Sequence, residues 1–176
     1  MKSINNYISE KLIINKNTGK KHYEYTPKDK HELFNIIKQR TKEEGNECNL
    51  NDIDVSEIND MSYLFSYFNF NGDISEWDVS NVRNMEGMFT SSTFNQDISN
   101  WDVSNVEDMN KMFMYSKFNQ DISKWNVSNV INMRGMFYYS KFNQDISNWD
   151  VSKVEYMTAI FMHTNLEGKE KEWWNK

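Results

Sequence analysis

Acidic side chains recur at regular positions along the chain and are the first candidates for chemistry. One column is Asp73, Asp97, Asp121 and Asp145; the other is Asp78, Asp102 and Asp150, with Asn126 in its third position. Stacked carboxylates can hold Ca²⁺ in repeat proteins whose turns are rich in glycine, but the turns here read Asn-Gln-Asp. We therefore expect these carboxylates, with Asn95, Asn119 and Asn143, to bond backbone amides within turns and between repeats, and we expect no metal site.

Residue patterns typical of enzymes do not occur in the sequence. His22, His31 and His163 are far apart, and no Ser-His-Asp, Cys-His, His-Glu-x-x-His or phosphate-loop pattern is found. The single Cys48 excludes an internal disulfide and a zinc site made of several cysteines. We expect a protein that is not an enzyme and binds no cofactor.

A period of 24 residues organises the chain that must position these groups. The segment that begins at Asp73 returns at Asp97, Asp121 and Asp145, and no insertion interrupts the count. Four tryptophans lie in register at Trp77, Trp101, Trp125 and Trp149. A period of this size indicates one supersecondary unit stacked on copies of itself.

The spacing within each unit predicts its local structure. Trp101 and Val103 would lie on one face of a short strand, whereas Met109, Met112 and Phe113 have the i, i+3, i+4 spacing of a short helix. The predicted fold is an α/β solenoid, a right-handed, leucine-rich-repeat-like stack of five 24-residue strand-turn-helix coils with an N-terminal helical cap. The tryptophans and methionines are expected to fill its core.

Three regions are predicted from the pattern. Residues 1–49 form a capping segment, with a helix at about 27–44 that starts at the Thr26-Pro27 pair, and residues 1–25 could add a short strand or helix. Residues 50–169 are the repeats, of which the first is degenerate and the last is partial. Residues 170–176 are a tail in which Trp173-Trp174 should fold back over the last repeat.

Outer positions that vary between repeats are the candidates for binding a partner, because core positions must stay alike. On the strand face they are Glu76, Asn100, Lys124 and Asn148, together with Asp78, Asp102, Asn126 and Asp150. After the predicted helices they are Tyr67, Met114, Tyr115, Tyr138 and Tyr139. The last four should form an aromatic patch between consecutive units, and Tyr and Met are common binding anchors. Alternatively, these rings only flank the core.

Charge and hydropathy narrow the classes of partner. The net charge of −6 argues against nucleic acid and anionic membranes, which both need a basic patch. Residues 1–19 contain no apolar run longer than Leu12-Ile13-Ile14, and no stretch is long enough to span a membrane. From the sequence as written we expect a cytoplasmic protein.

The string F-N-Q-D-I-S-N-W-D-V-S-N-V-x-x-M-x-x-M-F at Phe94–Phe113 resembles the repeat of BspA-like leucine-rich-repeat surface proteins of bacteria. The resemblance covers about residues 50–165. It implies a leucine-rich-repeat-like stack and, for secreted members, a role in adhesion or protein binding. It implies no catalytic residues.

The sequence thus predicts a noncatalytic protein–protein interaction module whose protein partner is unknown. Two alternatives stay open. One is a structural protein that forms homo-oligomers through its C-terminal end, and the other is a surface adhesin that binds carbohydrate or calcium.

Overall fold

The computed structural model describes residues 23–174. Its helices are α1 (Lys30–Glu44) and α2 (Lys169–Trp174), which precede and follow the repeats. Between residues 50 and 168 the chain consists of turns and single parallel β-bridges. Most of the short strand or helix predicted at residues 1–25 lies outside the described residues; at its end, Tyr25 forms a parallel bridge with Ile53.

Helix α1 begins three residues later than the sequence predicts. The carboxylate of Asp29 accepts a hydrogen bond from the Glu32 N–H at 2.9 Å, so Asp29 takes the capping role predicted for Thr26. The helix then buries Leu33 and Ile37 against the first repeat. It therefore closes one end of the hydrophobic core.

Charged side chains of α1 fix its position on the first repeat. The Lys30 ammonium lies 2.7 Å from the Asp60 carboxylate, and the Arg40 guanidinium lies 2.7 Å from Asp52. Because both ion pairs are partly buried, they orient the helix more strongly than fully solvated ion pairs would.

The prediction of an α/β, leucine-rich-repeat-like solenoid of strand-turn-helix coils is wrong. The described repeats contain no helix and no sheet, because alternate backbone amides bond in different directions. The Met88 N–H donates back to the Met85 carbonyl at 3.2 Å, whereas the Met85 N–H donates to Asp108 in the next repeat at 2.9 Å. An α-helix requires every amide to bond the carbonyl four residues earlier, which this alternation prevents.

Left-handed backbone also interrupts each predicted helix. In each repeat two residues four apart have a φ between 53° and 62°. The pairs are Tyr63 and Tyr67, Gly87 and Ser91, Lys111 and Tyr115, Gly135 and Tyr139, and Ala159 and His163. Residues with such φ angles cannot belong to a right-handed helix, so the i, i+3, i+4 spacing reflects successive turns that bury the same positions.

The predicted strand is reduced to a three-residue extended segment. The Trp101 N–H bonds the Ile98 carbonyl at 3.1 Å, and the Val106 N–H bonds the Val103 carbonyl at 2.9 Å. These two turns enclose the segment on both sides. Within it the predicted alternation is confirmed, because Trp101 and Val103 are buried and Asp102 is exposed.

The core is a continuous stack of side chains from successive repeats, as predicted for the tryptophans and methionines. The four repeat tryptophans are only 3–4% exposed. Phe113 stacks on Phe89 at 5.5 Å and on Phe137 at 5.7 Å between ring centroids. Each repeat indole is also satisfied, as when the Trp101 Nε1–H donates to the Ile74 carbonyl at 3.1 Å.

The C-terminal end of the core is covered by α2. The rings of Trp173 and Trp174 contact Phe161 with centroids 5.8 and 5.7 Å away, as the sequence predicts for the tail. No helix in the described part of the chain is long and apolar enough to cross a membrane.

Candidate functional site

The acidic columns shape the turns of the repeats. The Asp97 Oδ1 accepts the Ser99 N–H at 2.8 Å, and the Asp102 Oδ1 accepts the Ser104 N–H at 3.0 Å. Hydrogen bonds from Ser99, chiefly its N–H, and from Ser104, chiefly its hydroxyl group, lower the pKa of these two carboxyl groups. Asn126 accepts the Ser128 N–H at 3.2 Å in the same way, so the turn needs an oxygen acceptor and not a charge.

Two substitutions at Asp102 should distinguish the need for an oxygen acceptor from the need for a negative charge. Asp102→Asn keeps the acceptor and should change the free energy of unfolding by less than about 0.5 kcal/mol, whereas Asp102→Ala should cost about 1 kcal/mol. Because the folded-state pKa of Asp102 is lowered, its charge adds a small stabilisation above the unfolded pKa. This increment is lost as the pH falls through the folded pKa, whereas the acceptor oxygen remains. Urea denaturation at pH 7 and pH 3 measures both effects; an equal loss at pH 7 in the two variants would contradict this role.

Asparagine and glutamine side chains connect one repeat to the next, as expected for Asn95, Asn119 and Asn143. The Asn119 N–H donates to Asn95 Oδ1 at 2.8 Å, and Gln120 Nε2 donates to the Asn95 carbonyl at 2.9 Å. Asn143 continues the column on Asn119 at 2.7 Å. These polar groups are therefore part of the scaffold. Within residues 23–174, no three His, Cys, Asp or Glu side chains are grouped so that they could hold a metal ion.

The strand-face candidates are all exposed but do not converge on one site. They are Glu76, Asn100, Lys124 and Asn148, with Asp78, Asp102, Asn126 and Asp150. They follow the repeats as two rows, one residue on each side of the buried tryptophan. Several also hold the backbone, as when Asn148 Nδ2 donates to the Ser123 carbonyl at 3.0 Å. The rows offer polar contacts along the molecule without forming a cavity.

A polar hollow of about 330 Å³ spans three successive repeats. It is lined by Ser56, Glu57, Asn59, Asn81, Arg83 and Asn105. Arg83 is paired with Glu107 at 2.7 Å, and Asn81 Nδ2 donates to the Ser56 carbonyl at 2.9 Å. The hollow is thus a consequence of inter-repeat bonding.

The predicted tyrosines do come together. The rings of Tyr115 and Tyr139 stack with centroids 5.2 Å apart and an interplanar angle of 15°. Tyr138 meets both edge-on, at 5.6 and 4.9 Å. Met114 is half-buried beside them in sequence, whereas Tyr67 makes no ring contact with any described residue.

His163 extends this cluster and was not among the residues predicted to bind. Its ring stacks on Tyr139 with centroids 4.0 Å apart, and it meets Tyr138 edge-on at 5.7 Å. The 24-residue register could have identified it, because His163 is one period after Tyr139. We name Tyr115, Tyr138, Tyr139 and His163 the aromatic cluster.

The backbone under the aromatic cluster is held by the ladder between repeats. The Tyr115 N–H donates to the Tyr138 carbonyl at 2.8 Å, and the Tyr139 N–H donates to Met162 at 3.0 Å. Desolvation, followed by the neighbouring tyrosines, raises the pKa of Tyr138. The cluster is therefore a fixed, partly exposed surface in which Tyr138 stays uncharged near neutral pH.

The chain belongs to the family described as "Mycoplasma protein of unknown function, DUF285", which it matches over residues 31–139 and 114–176. No curated protein and no solved structure matches the chain. The predicted resemblance is thereby confirmed only as far as a family of unknown function, since the match names no BspA-like leucine-rich repeat.

Proposed function

We propose that this member of the DUF285 family is a noncatalytic protein-binding module that uses the aromatic cluster as its contact surface. The observation that carries the proposal is the stack of Tyr115, Tyr139 and His163 on a backbone fixed by bonds between repeats. Tyrosine gives a large contact area with few rotatable bonds, so a pre-ordered tyrosine loses little entropy when it binds.

The exposed surface of the tyrosines and their capacity for hydrogen bonding support the same function. Tyr115 and Tyr139 are 49% and 46% exposed, so each retains apolar surface that a partner could cover. Each tyrosine also carries a hydroxyl group that can form a directional hydrogen bond with a partner. The likeness of the repeat to BspA-like surface proteins also favours adhesion or protein binding.

The experiment is a binding comparison with two matched variants. Tyr115→Ser and Tyr139→Ser together remove the stack, and Ser91 shows that serine is compatible with this backbone, because it has a φ of 54° one period before Tyr115. The control, Asn100→Ala with Lys124→Ala, changes only the polar rows. Each protein is used to capture partners from an extract of the source organism, and the affinity for any stoichiometric partner is then measured.

We expect the double serine variant to lose at least about 30-fold in affinity, the effect of removing a binding hot spot. The polar-row control should change affinity by less than threefold or so. Equal losses in both variants, or retention of the partner by the serine variant, would contradict the proposal.

A second candidate, self-association at the C-terminal end, has a specific observation in its favour. In earlier repeats the amides of residues 133, 135 and 137 donate to the following repeat, but the equivalent amides of Met157, Ala159 and Phe161 meet no acceptor within residues 23–174. In α2, the buried Trp174 Nε1 and Glu170 Oε2 also have no hydrogen-bond partner among the described residues. Sedimentation velocity over a hundredfold range of concentration tests this candidate, since a constant monomer value would eliminate it.

A further inference from the structure

The aromatic cluster belongs to a longer column in which one ring is missing. Residues 67, 91, 115, 139 and 163 occupy equivalent positions one period apart, and their φ angles are 55°, 54°, 56°, 53° and 62°. The column reads Tyr67, Ser91, Tyr115, Tyr139 and His163. Serine therefore stands at the one position of the column that lacks a ring.

The backbone holds the first three positions in the same register. The Tyr67 N–H donates to Thr90 at 2.8 Å, the Ser91 N–H to Met114 at 2.7 Å and the Tyr115 N–H to Tyr138 at 2.8 Å. With the same φ and the same ladder bond, the three Cα–Cβ bonds leave the surface in closely similar directions. Tyr67 and Tyr115 consequently stand on the two sides of the Ser91 side chain.

The spacing of the repeats predicts room for one ring over Ser91. Adjacent hydrogen-bonded chains lie about 4.8 Å apart, so the backbones of Tyr67 and Tyr115 are separated by about 10 Å. A ring midway between them would have centroid distances near the 5.2 Å that separates Tyr115 from Tyr139. Tyr67 is 79% exposed, consistent with the absence of a stacked neighbour. The Ser91 hydroxyl at the base forms no hydrogen bond with a described residue.

We propose that this gap, bounded by Tyr67 and Tyr115 above Ser91, receives an aromatic side chain of a protein partner. The inserted ring stacks between the two tyrosines and completes the column, and a Trp or Tyr ring can also bond the Ser91 hydroxyl. The net charge of −6 disfavours a base of a nucleic acid, because the phosphates of the nucleic acid would be repelled. The inference rests on the proposed protein-binding function and identifies the chemistry of the anchor that the partner supplies.

The test is an NMR titration of the full chain with N-acetyl-L-tryptophanamide. We expect saturable shifts of the Ser91 amide and the Tyr67 ring, with a dissociation constant on the order of 1 mM. Ser91→Ala keeps the gap open and removes only the hydroxyl group, so it should bind within about threefold of the wild type. Ser91→Tyr fills the gap and Tyr67→Ser removes one wall, so each should bind at least tenfold more weakly. Thermal melting checks that every variant is folded.

Several outcomes would overturn the inference. The first is that the wild type shows no shifts at Ser91 and Tyr67. The second is that folded Ser91→Tyr and Tyr67→Ser bind the tryptophan amide as well as the wild type does. The third is that the wild type binds adenosine or N-acetylglucosamine more tightly than the tryptophan amide. If the titration fails while the Tyr115/Tyr139 serine variant still loses its partner, the gap is refuted and the proposed function stands. If the wild type binds the amide but captures no partner, the proposed function fails and only the affinity for aromatic rings remains.

Discussion

Replacing Phe113 with alanine should lower the free energy of unfolding by about 4 kcal/mol. The Phe113 ring is fully buried and stacks on Phe89, Phe137 and Phe118, the last at 4.1 Å between centroids. Alanine would leave a cavity in the middle of the stack, and rings on both sides would lose contact area. Equilibrium denaturation in guanidinium chloride measures the loss, which is a large part of the stability of an ordinary domain.

The control is an exposed aromatic residue in the following repeats. Tyr156 is 57% exposed, and Tyr156→Ala should cost less than about 1 kcal/mol. Comparable losses in the two variants would mean that the phenylalanine stack does not hold the repeats together.

Gly72→Ala, which adds a single methyl group, should strongly lower the free energy of unfolding. A Cβ at Gly72 would lie 2.0 Å from the Cys48 carbonyl oxygen and 2.6 Å from the Phe70 ring. The backbone oxygen cannot move without disturbing its bond from the Asp73 N–H, at 3.2 Å. We expect a loss of about 3 kcal/mol or more in the free energy of unfolding, at the upper end of overpacking effects.

Gly135→Ala provides the matched control for this close approach. A Cβ at Gly135 has ordinary contacts, the nearest at 3.7 Å, and the cost there comes from a φ of +58°. Ala159, one period after Gly135, already adopts a φ of 60° at the equivalent position. The penalty of alanine at Gly135 should therefore be about 1 kcal/mol. If the urea midpoint of Gly135→Ala fell as far as that of Gly72→Ala, the close approach would not be the cause.

The sequence predicts the core of this protein better than its backbone. Burial of Trp101, Met109, Met112 and Phe113 follows from apolar type and the 24-residue register, and the structure buries all four. The helix and strand predictions within the repeats are wrong, because the neighbouring repeat supplies the acceptors for many of the backbone amides. The i, i+3, i+4 spacing is shared by a helix and by this series of turns, so spacing alone could not distinguish them.

Residue type does not predict which positions of the repeats have left-handed backbone. Among the paired left-handed positions of the repeats, glycine occurs only at Gly87 and Gly135, whereas Tyr115 and Lys111 adopt similar φ angles without a compositional signal. Residue type also predicts only part of the aromatic cluster. The three tyrosines were recognised by type, but His163 and the gap at Ser91 become apparent only when the column is followed through every repeat.

The most direct test of the account is a nuclear Overhauser experiment on protein labelled at its phenylalanine rings. We expect contacts between rings one period apart, continuing from Phe65 through Phe89, Phe113 and Phe137 to Phe161. These contacts would place the repeats side by side and thereby align the exposed column above them. Absence of contacts between rings one period apart, with contacts only within repeats, would contradict the stack and the binding surface built on it.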